Sequence, residues 1–175
     1  MIKLNLGCGA HPFQGWQNID LIDHPGVIKH DLSKGLPKDF LPNSVDYIYT
    51  EHFIEHITRQ EASNLLIHCY LRLRPGGKLR ISTPDLETVV GDYMNGKIDR
   101  WLPTWAPYNK CQMLNQGLRE WGHQYVYDFE DLVDLLNSTG FTISYKVKHK
   151  SSSYEQLRGL EVRPYHGDLI MEAVK

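Results

Sequence analysis

Apolar residues come in short runs over the first fifty positions and recur at helical spacing only after residue 58. Leu4-Asn5-Leu6, Trp16-Gln17-Asn18-Ile19-Asp20, Val27-Ile28-Lys29-His30 and Val45-Asp46-Tyr47-Ile48-Tyr49-Thr50 are bounded by glycine, proline, asparagine or aspartate and read as four strands. Thr58 and Glu61 predict a capping box ahead of Ala62, Leu65, Leu66, Cys69 and Leu73, a helix that Pro75-Gly76-Gly77 stops. A fifth strand follows over Lys78 to Thr83. Asp85 then caps a helix with Leu86, Val89, Val90 and Tyr93 on one face, ended by Asn95-Gly96. Asp128 starts a helix carrying Leu132, Leu135 and Leu136 and closed by Gly140; strands at Phe141 to His149 and Asp168 to Val174 finish the chain as a hairpin.

Three stretches break this pattern. Phe13-Gln14-Gly15 predicts no more than a turn, and Asp23-His24-Pro25-Gly26 a loop. Leu32 to Asn43, with Pro37 and Pro42, reads as irregular chain. Arg100 to Asp128 carries prolines at 103 and 107 among Trp101, Trp105, Tyr108, Trp121, Tyr125 and Tyr127, too aromatic for a solvated loop. Residues 97–127 are therefore expected to form a cap over a site, within a single domain spanning 1–175.

The chemistry-bearing residues stand at strand ends. Gly7-Cys8-Gly9 follows the first strand and lets bare backbone approach a ligand, Asp20 ends the second, where a carboxylate can accept both hydroxyls of a ribose, and Asp31-Leu32 follows the third. In an open parallel sheet these positions line one crevice. A dinucleotide loop would need a third glycine opening a full helix to hold the pyrophosphate. Pro12 stands there instead, and only ten residues separate Gly9 from Asp20. A nucleoside without phosphates fits, S-adenosylmethionine being the common one.

From Leu4 to about Leu86 the chain resembles the class I S-adenosylmethionine-dependent methyltransferases, through Leu-Asn-Leu-Gly-Cys-Gly, the acidic strand ends, Ser44-Val45-Asp46-Tyr47-Ile48, Glu51-His52 and Leu73-Arg74-Pro75-Gly76-Gly77. The resemblance resumes over Phe129 to Phe141 and in the last strand, and is strongest to the small, largely uncharacterised members that begin at the first strand. It departs at His11, in place of a glycine, and in the shortened first helix. It implies a doubly wound, seven-stranded, mostly parallel α/β sheet (Rossmann-like) with an antiparallel final hairpin strand, and methyl transfer to a small or medium-sized acceptor. It implies cofactor contacts from Leu6, Gly7, Cys8, Gly9, Asp20, Leu21, Asp31, Leu32, Thr50 and Glu51, with Asp31 and Leu32 at the adenine. His52 is then expected near the transfer centre. His123, in Trp121-Gly122-His123-Gln124-Tyr125, is the second polar candidate, either ring being a possible general base. No Asn/Asp-Pro-Pro-Tyr/Phe sequence ends the fourth strand, where nucleic-acid amino-methyltransferases carry it; Thr50-Glu51-His52-Phe53 does.

His52-Phe53-Ile54-Glu55-His56 also matches the H-x-x-E-H spacing of a zinc peptidase. That site needs the pattern inside a helix and a third ligand; here it starts at a strand end, so no metal is expected. A net charge of −2 gives no basic footprint for nucleic acid. Isolated Cys8, Cys69 and Cys111 argue for a reducing compartment; with no membrane span and no leader before the first strand, the cytoplasm is the expected location. No residue pattern sets an oligomeric state. The competing reading is a non-catalytic module that binds a nucleoside in the same crevice, or a partner subunit.

Overall fold

A computed structural model describes residues 1–102 and 104–175; Pro103, one of the two prolines expected to interrupt the cap, lies outside them. Seven strands form one sheet in the order β3-β2-β1-β4-β5-β7-β6: β1 (Lys3–Leu6), β2 (Gln17–Asp20), β3 (Val27–Lys29), β4 (Val45–Glu51), β5 (Leu73–Thr83), β6 (Ile143–Lys146) and β7 (Leu169–Val174). The chain starts at β1, moves outward to β3, returns to β4 and moves outward again, the doubly wound order. β1 to β5 pair in parallel, and β7 runs antiparallel between β5 and β6. This is the expected seven-stranded, mostly parallel α/β sheet with an antiparallel C-terminal strand pair. β6 and β7 are joined by twenty-odd residues rather than a tight turn.

The two faces of the sheet differ in chemistry. Leu4, Leu6, Ile19, Ile48, Leu79, Ile81, Met171 and Ala173 form a core with Ala62, Leu65, Leu66 and Cys69 of α1 (Arg59–Arg72) and Leu132, Leu135 and Leu136 of α4 (Phe129–Ser138). The expected caps are present: Thr58 and Glu61 make the reciprocal capping box of α1, and Asp128 accepts from Asp131 N–H at the start of α4.

The alternate positions are polar. Register places Asn18, Asn5, Tyr49, Arg80, Glu172 and Tyr145 side by side across six strands. Asn5 Nδ2 donates to Asn18 Oδ1 at 3.0 Å, Arg80 Nη1 to Glu172 Oε1 at 2.5 Å, and Tyr145 O–H to Glu172 Oε2 at 3.3 Å. No α-helix occurs among the described residues before Arg59. The segment 147–167 covers this face instead. Arg80, fully buried, donates Nε to Glu161 Oε1 at 2.6 Å and Nη1 to the Ser151 carbonyl at 2.8 Å, while Glu161 Oε2 accepts from Lys150 N–H. The segment is thus a strap whose two limbs converge on one guanidinium.

Residues 97–127 hold an α-helix where broken pattern was expected. α3 (Lys110–Arg119) is capped by Asn109 and packs on α2 (Leu86–Asn95); a Cβ at Gly117 would lie 3.1 Å from Val89 Cγ1, so the glycine permits the approach. Val89, Trp101 and Met113 make a second small core there, and Trp101 Nε1 donates to Asp92 Oδ2 at 2.9 Å.

Removing one partner of a buried ion pair leaves the other charge uncompensated. Glu161→Ala is therefore expected to cost about 3 kcal/mol in urea unfolding, the low end for a broken buried pair because Glu172 remains. A loss under about 1 kcal/mol would show that the strap is not held through Arg80.

Candidate active site

The carboxyl ends of β1, β2 and β4 meet where the sheet order reverses. Gly7 and Gly9 adopt positive φ, 68° and 51°. A Cβ on Gly7 would fall 2.5 Å from the Phe53 ring, and one on Gly9 2.9 Å from Arg163 Nη2, so both glycines admit a close neighbour. Gly9 N–H donates to Asp20 Oδ2 at 2.8 Å and Ile22 N–H to Oδ1 at 3.2 Å, which holds the carboxylate at the strand end.

A cavity of about 150 Å³ opens beside it, lined by Asp20, Leu21, His30, Asp31, Leu32, Ser33, Phe53, His56 and Ile57. Four of the expected cofactor residues, Asp20, Leu21, Asp31 and Leu32, thus meet on one wall. Asp31 also caps the short turn at Leu32–Lys34, accepting from Ser33 N–H and Oγ; the Ser33 hydroxyl and then Lys34 hold its pKa below the usual carboxylate value.

Gly7, Cys8 and Glu51 line a separate, narrow cleft together with Val162 and Arg163. Glu51 accepts from Val162 N–H and Arg163 N–H at 3.1 and 3.0 Å, so its carboxylate anchors the strap rather than standing free. Burial raises the Cys8 thiol to a pKa of about 11. Leu6 and Thr50 line none of these cavities. Register aims both side chains at the α1/α4 face, where they are buried, as strand alternation requires.

The larger cavity, about 350 Å³, is lined by His52, His56, Pro84, Thr104, Trp105, Trp121, His123, Arg163, Pro164 and His166. It shares His56 with the Asp20 cavity and Arg163 with the narrow cleft. His52, at a left-handed φ of 48°, lies between two carboxylates: Nδ1 is 3.2 Å from Glu55 Oε1 and Nε2 is 3.5 Å from Asp168 Oδ2. Burial works against its charge, but Asp168 and Glu55 together outweigh it and raise its pKa to about 10. His123 is different. Its Nδ1 lies 3.0 Å from the Gly117 carbonyl, which can only accept, so Nδ1 carries the proton and Nε2 the lone pair; burial lowers its pKa. His166 is held likewise by the Arg100 carbonyl, with its ring stacked on Trp101.

Arg163 and His166 were not singled out from the sequence, and Phe53 and His56 only as members of the H-x-x-E-H stretch. His56 and Phe53 follow the strand end closely enough to have been suspected. Arg163 and His166 arrive on the strap, more than a hundred residues from the glycine loop, with no local signal.

No protein-family model matches the chain, and no curated protein matches it. Solved structures do. A SAM-dependent methyltransferase from Archaeoglobus fulgidus superposes with a TM-score of 0.61 at 18% identity, over 99% of this chain and 85% of that one. One from Thermotoga maritima gives 0.62 at 17%, over 99% and 82%, and one from Mesorhizobium loti 0.58 at 18%, over 99% and 90%. The fold is that of the class I SAM-dependent methyltransferases; at this identity the likeness is one of fold. Among the described residues no helix is long and apolar enough to cross a membrane.

The two-carboxylate clamp has a spectroscopic consequence. In the presence of EDTA, the His52 ring resonances are expected to stay flat from about pH 5 to about pH 8.5, because the proton leaves only near the raised pKa of about 10. A titration midpoint below about pH 8 would show that the clamp does not form.

Proposed function

We propose that the crevice binds S-adenosylmethionine and that the protein transfers its methyl group to a small acceptor held in the larger cavity. The observation that carries this reading is the junction of the two cavities at His56: one presents a carboxylate and apolar walls suited to a nucleoside, the other aromatic and imidazole groups. Asp20 accepts from the ribose hydroxyls, and Asp31 and Leu32 take the adenine edge and face. Arg163, which makes no ion pair among the described residues and lies against Gly9, takes the carboxylate of the methionine end in place of the missing first helix. Gly7, Cys8 and Glu51 shape that end, Glu51 through the strap.

When bound, the cofactor supplies a sulfonium leaving group. The chain then has to orient the acceptor, keep it in line and exclude water. Trp105 and Trp121 wall the cavity and the strap closes it from the other side. Both nitrogens of His52 already face carboxylates, so His52 positions Glu55 and Asp168 near the transfer centre rather than taking a proton. His123 is the group with a free nitrogen for that task where the acceptor has a proton to lose. A cavity of this size and a net charge of −2 favour a small molecule over a nucleic acid as acceptor. Three isolated cysteines, with Cys8 and Cys69 buried, suit a cytoplasmic setting.

Calorimetric titration tests the reading. S-adenosylhomocysteine is expected to bind and NAD not to, since the loop after Gly9 opens no helix for a pyrophosphate. Binding without turnover across a metabolite panel would turn the assignment toward a nucleoside-binding module. Tight NAD binding with no response to S-adenosylhomocysteine would overturn it.

Asp20→Ala removes a charged acceptor of two hydroxyls and is expected to weaken S-adenosylhomocysteine binding by roughly 30- to 800-fold, about 2 to 4 kcal/mol. Asp23→Ala, whose carboxylate is exposed beside Lys29, should leave affinity nearly unchanged. Equal affinities in the two variants would remove Asp20 from the site.

A further inference from the structure

The H-x-x-E-H stretch lacks a helix, and His52 is turned to Glu55 and Asp168, so it does not form the zinc-peptidase arrangement. The fold nevertheless supplies a different third residue. Ligand-type atoms of Glu55, His56 and His123 all lie within 4.8 Å of one another, the two histidines lining the larger cavity and Glu55 buried behind them. We propose that these three side chains bind one divalent transition-metal ion, with the remaining coordination positions open to the cavity.

The chemistry of the set is that of two imidazoles and one carboxylate, a facial arrangement that suits first-row divalent ions. Two of the three ligands are held from behind. Glu55 is fully buried; Thr83 Oγ1 donates to its Oε2 at 3.0 Å, which leaves Oε1 turned toward His56, 4.0 Å from Nε2. Oε1 makes no hydrogen bond of good geometry although it is buried, with His52 Nδ1 at 3.2 Å. His123 donates Nδ1–H to the Gly117 carbonyl, the outer contact that turns Nε2 toward a metal. The His56 and His123 rings already meet edge to face at 4.9 Å. Metal–ligand bonds of about 2.0 to 2.2 Å need ligand atoms roughly 3.3 Å apart. The Glu55–His56 separation of 4.0 Å must then shorten by about 0.7 Å, and no separation by more than about 1.5 Å, movement to which the His56 side chain, 31% exposed, can contribute.

Two consequences follow from where the ligands sit. Glu55 and His56 belong to the sheet side and His123 to the cap, so the ion ties cap to sheet and stabilises the fold by mass action. Resting on the methyl-transfer reading, the ion also faces the acceptor's cavity and engages the lone pair of His123, so metal binding and a general-base role for His123 exclude one another.

Binding is tested without reference to catalysis. Protein purified without a histidine tag is stripped with EDTA, dialysed and titrated with Zn2+ and Co2+, with metal content read by elemental analysis, Co2+ by its visible absorption and stability by thermal melting. One ion per chain and a raised melting temperature are expected. His123→Ala and His56→Ala should each weaken binding about 10- to 100-fold or more and abolish the thermal shift, while His24→Ala, at an exposed turn, should not. Glu55→Gln is informative only if it folds, so the two histidine variants decide. No ion bound by the wild type at micromolar free metal, or binding unchanged in both variants, overturns the site; S-adenosylhomocysteine affinity is measured in parallel, so that its loss would indict the cofactor reading and not this one.

Discussion

A guanidinium sealed between two buried carboxylates holds the second face of this sheet. Arg80 of β5 meets Glu172 of β7 within the sheet and Glu161 on the strap, and it takes the Ser151 carbonyl as well. Such a charge is costly to bury and is tolerated because Nε and Nη1 donate to two carboxylates and a backbone carbonyl, while Nη2 stays paired by charge alone, 2.6 Å from Glu161 Oε1. A strap fixed in this way can do what a pair of helices does on the opposite face, with far fewer residues. It also delivers groups to the strand ends: its amides reach Glu51, its guanidinium reaches Gly9, and His166 reaches the Trp101 ring.

The site inherits its character from this economy. With no helix after the glycine loop, the space above Gly7 and Gly9 is shaped by side chains from elsewhere, Phe53 and Arg163, and the Asp20 cavity and the larger cavity meet at His56. The 97–127 segment docks on backbone: Gln124 N–H and Tyr125 N–H both donate to the Glu55 carbonyl. Glu55 is therefore a junction. Its backbone receives the cap, and its carboxylate meets Thr83, His52 and His56.

What could be read from the sequence was local. The strand ends, the Thr58/Glu61 capping box and the Asp85 and Asp128 caps depend on residues a few positions apart, and all are present. The polar face was also written there, in the alternation of Lys78, Arg80 and Ser82 with Leu79, Ile81 and Thr83, but alternation does not say what covers it. Helix α3 was hidden because its stability comes from tertiary contact: it buries only Met113 and Gly117, and the glycine that weakens it alone lets it lie on Val89. Leu6 and Thr50 adjoin the crevice residues in sequence, while strand alternation turns their side chains to the core. The pairing of His56 with His123 across nearly seventy residues had no sequence signal at all.

The central claim is that one crevice holds a nucleoside at Asp20 and points its reactive end at the histidine- and tryptophan-lined cavity. A crystal structure of the complex with S-adenosylhomocysteine tests this most directly. The account predicts ribose hydroxyls on the Asp20 carboxylate, adenine against Leu32, the terminal carboxylate at Arg163 and the sulfur facing His52 and His56. A nucleoside bound away from Asp20, or a sulfur walled off from the larger cavity by the strap, would contradict it.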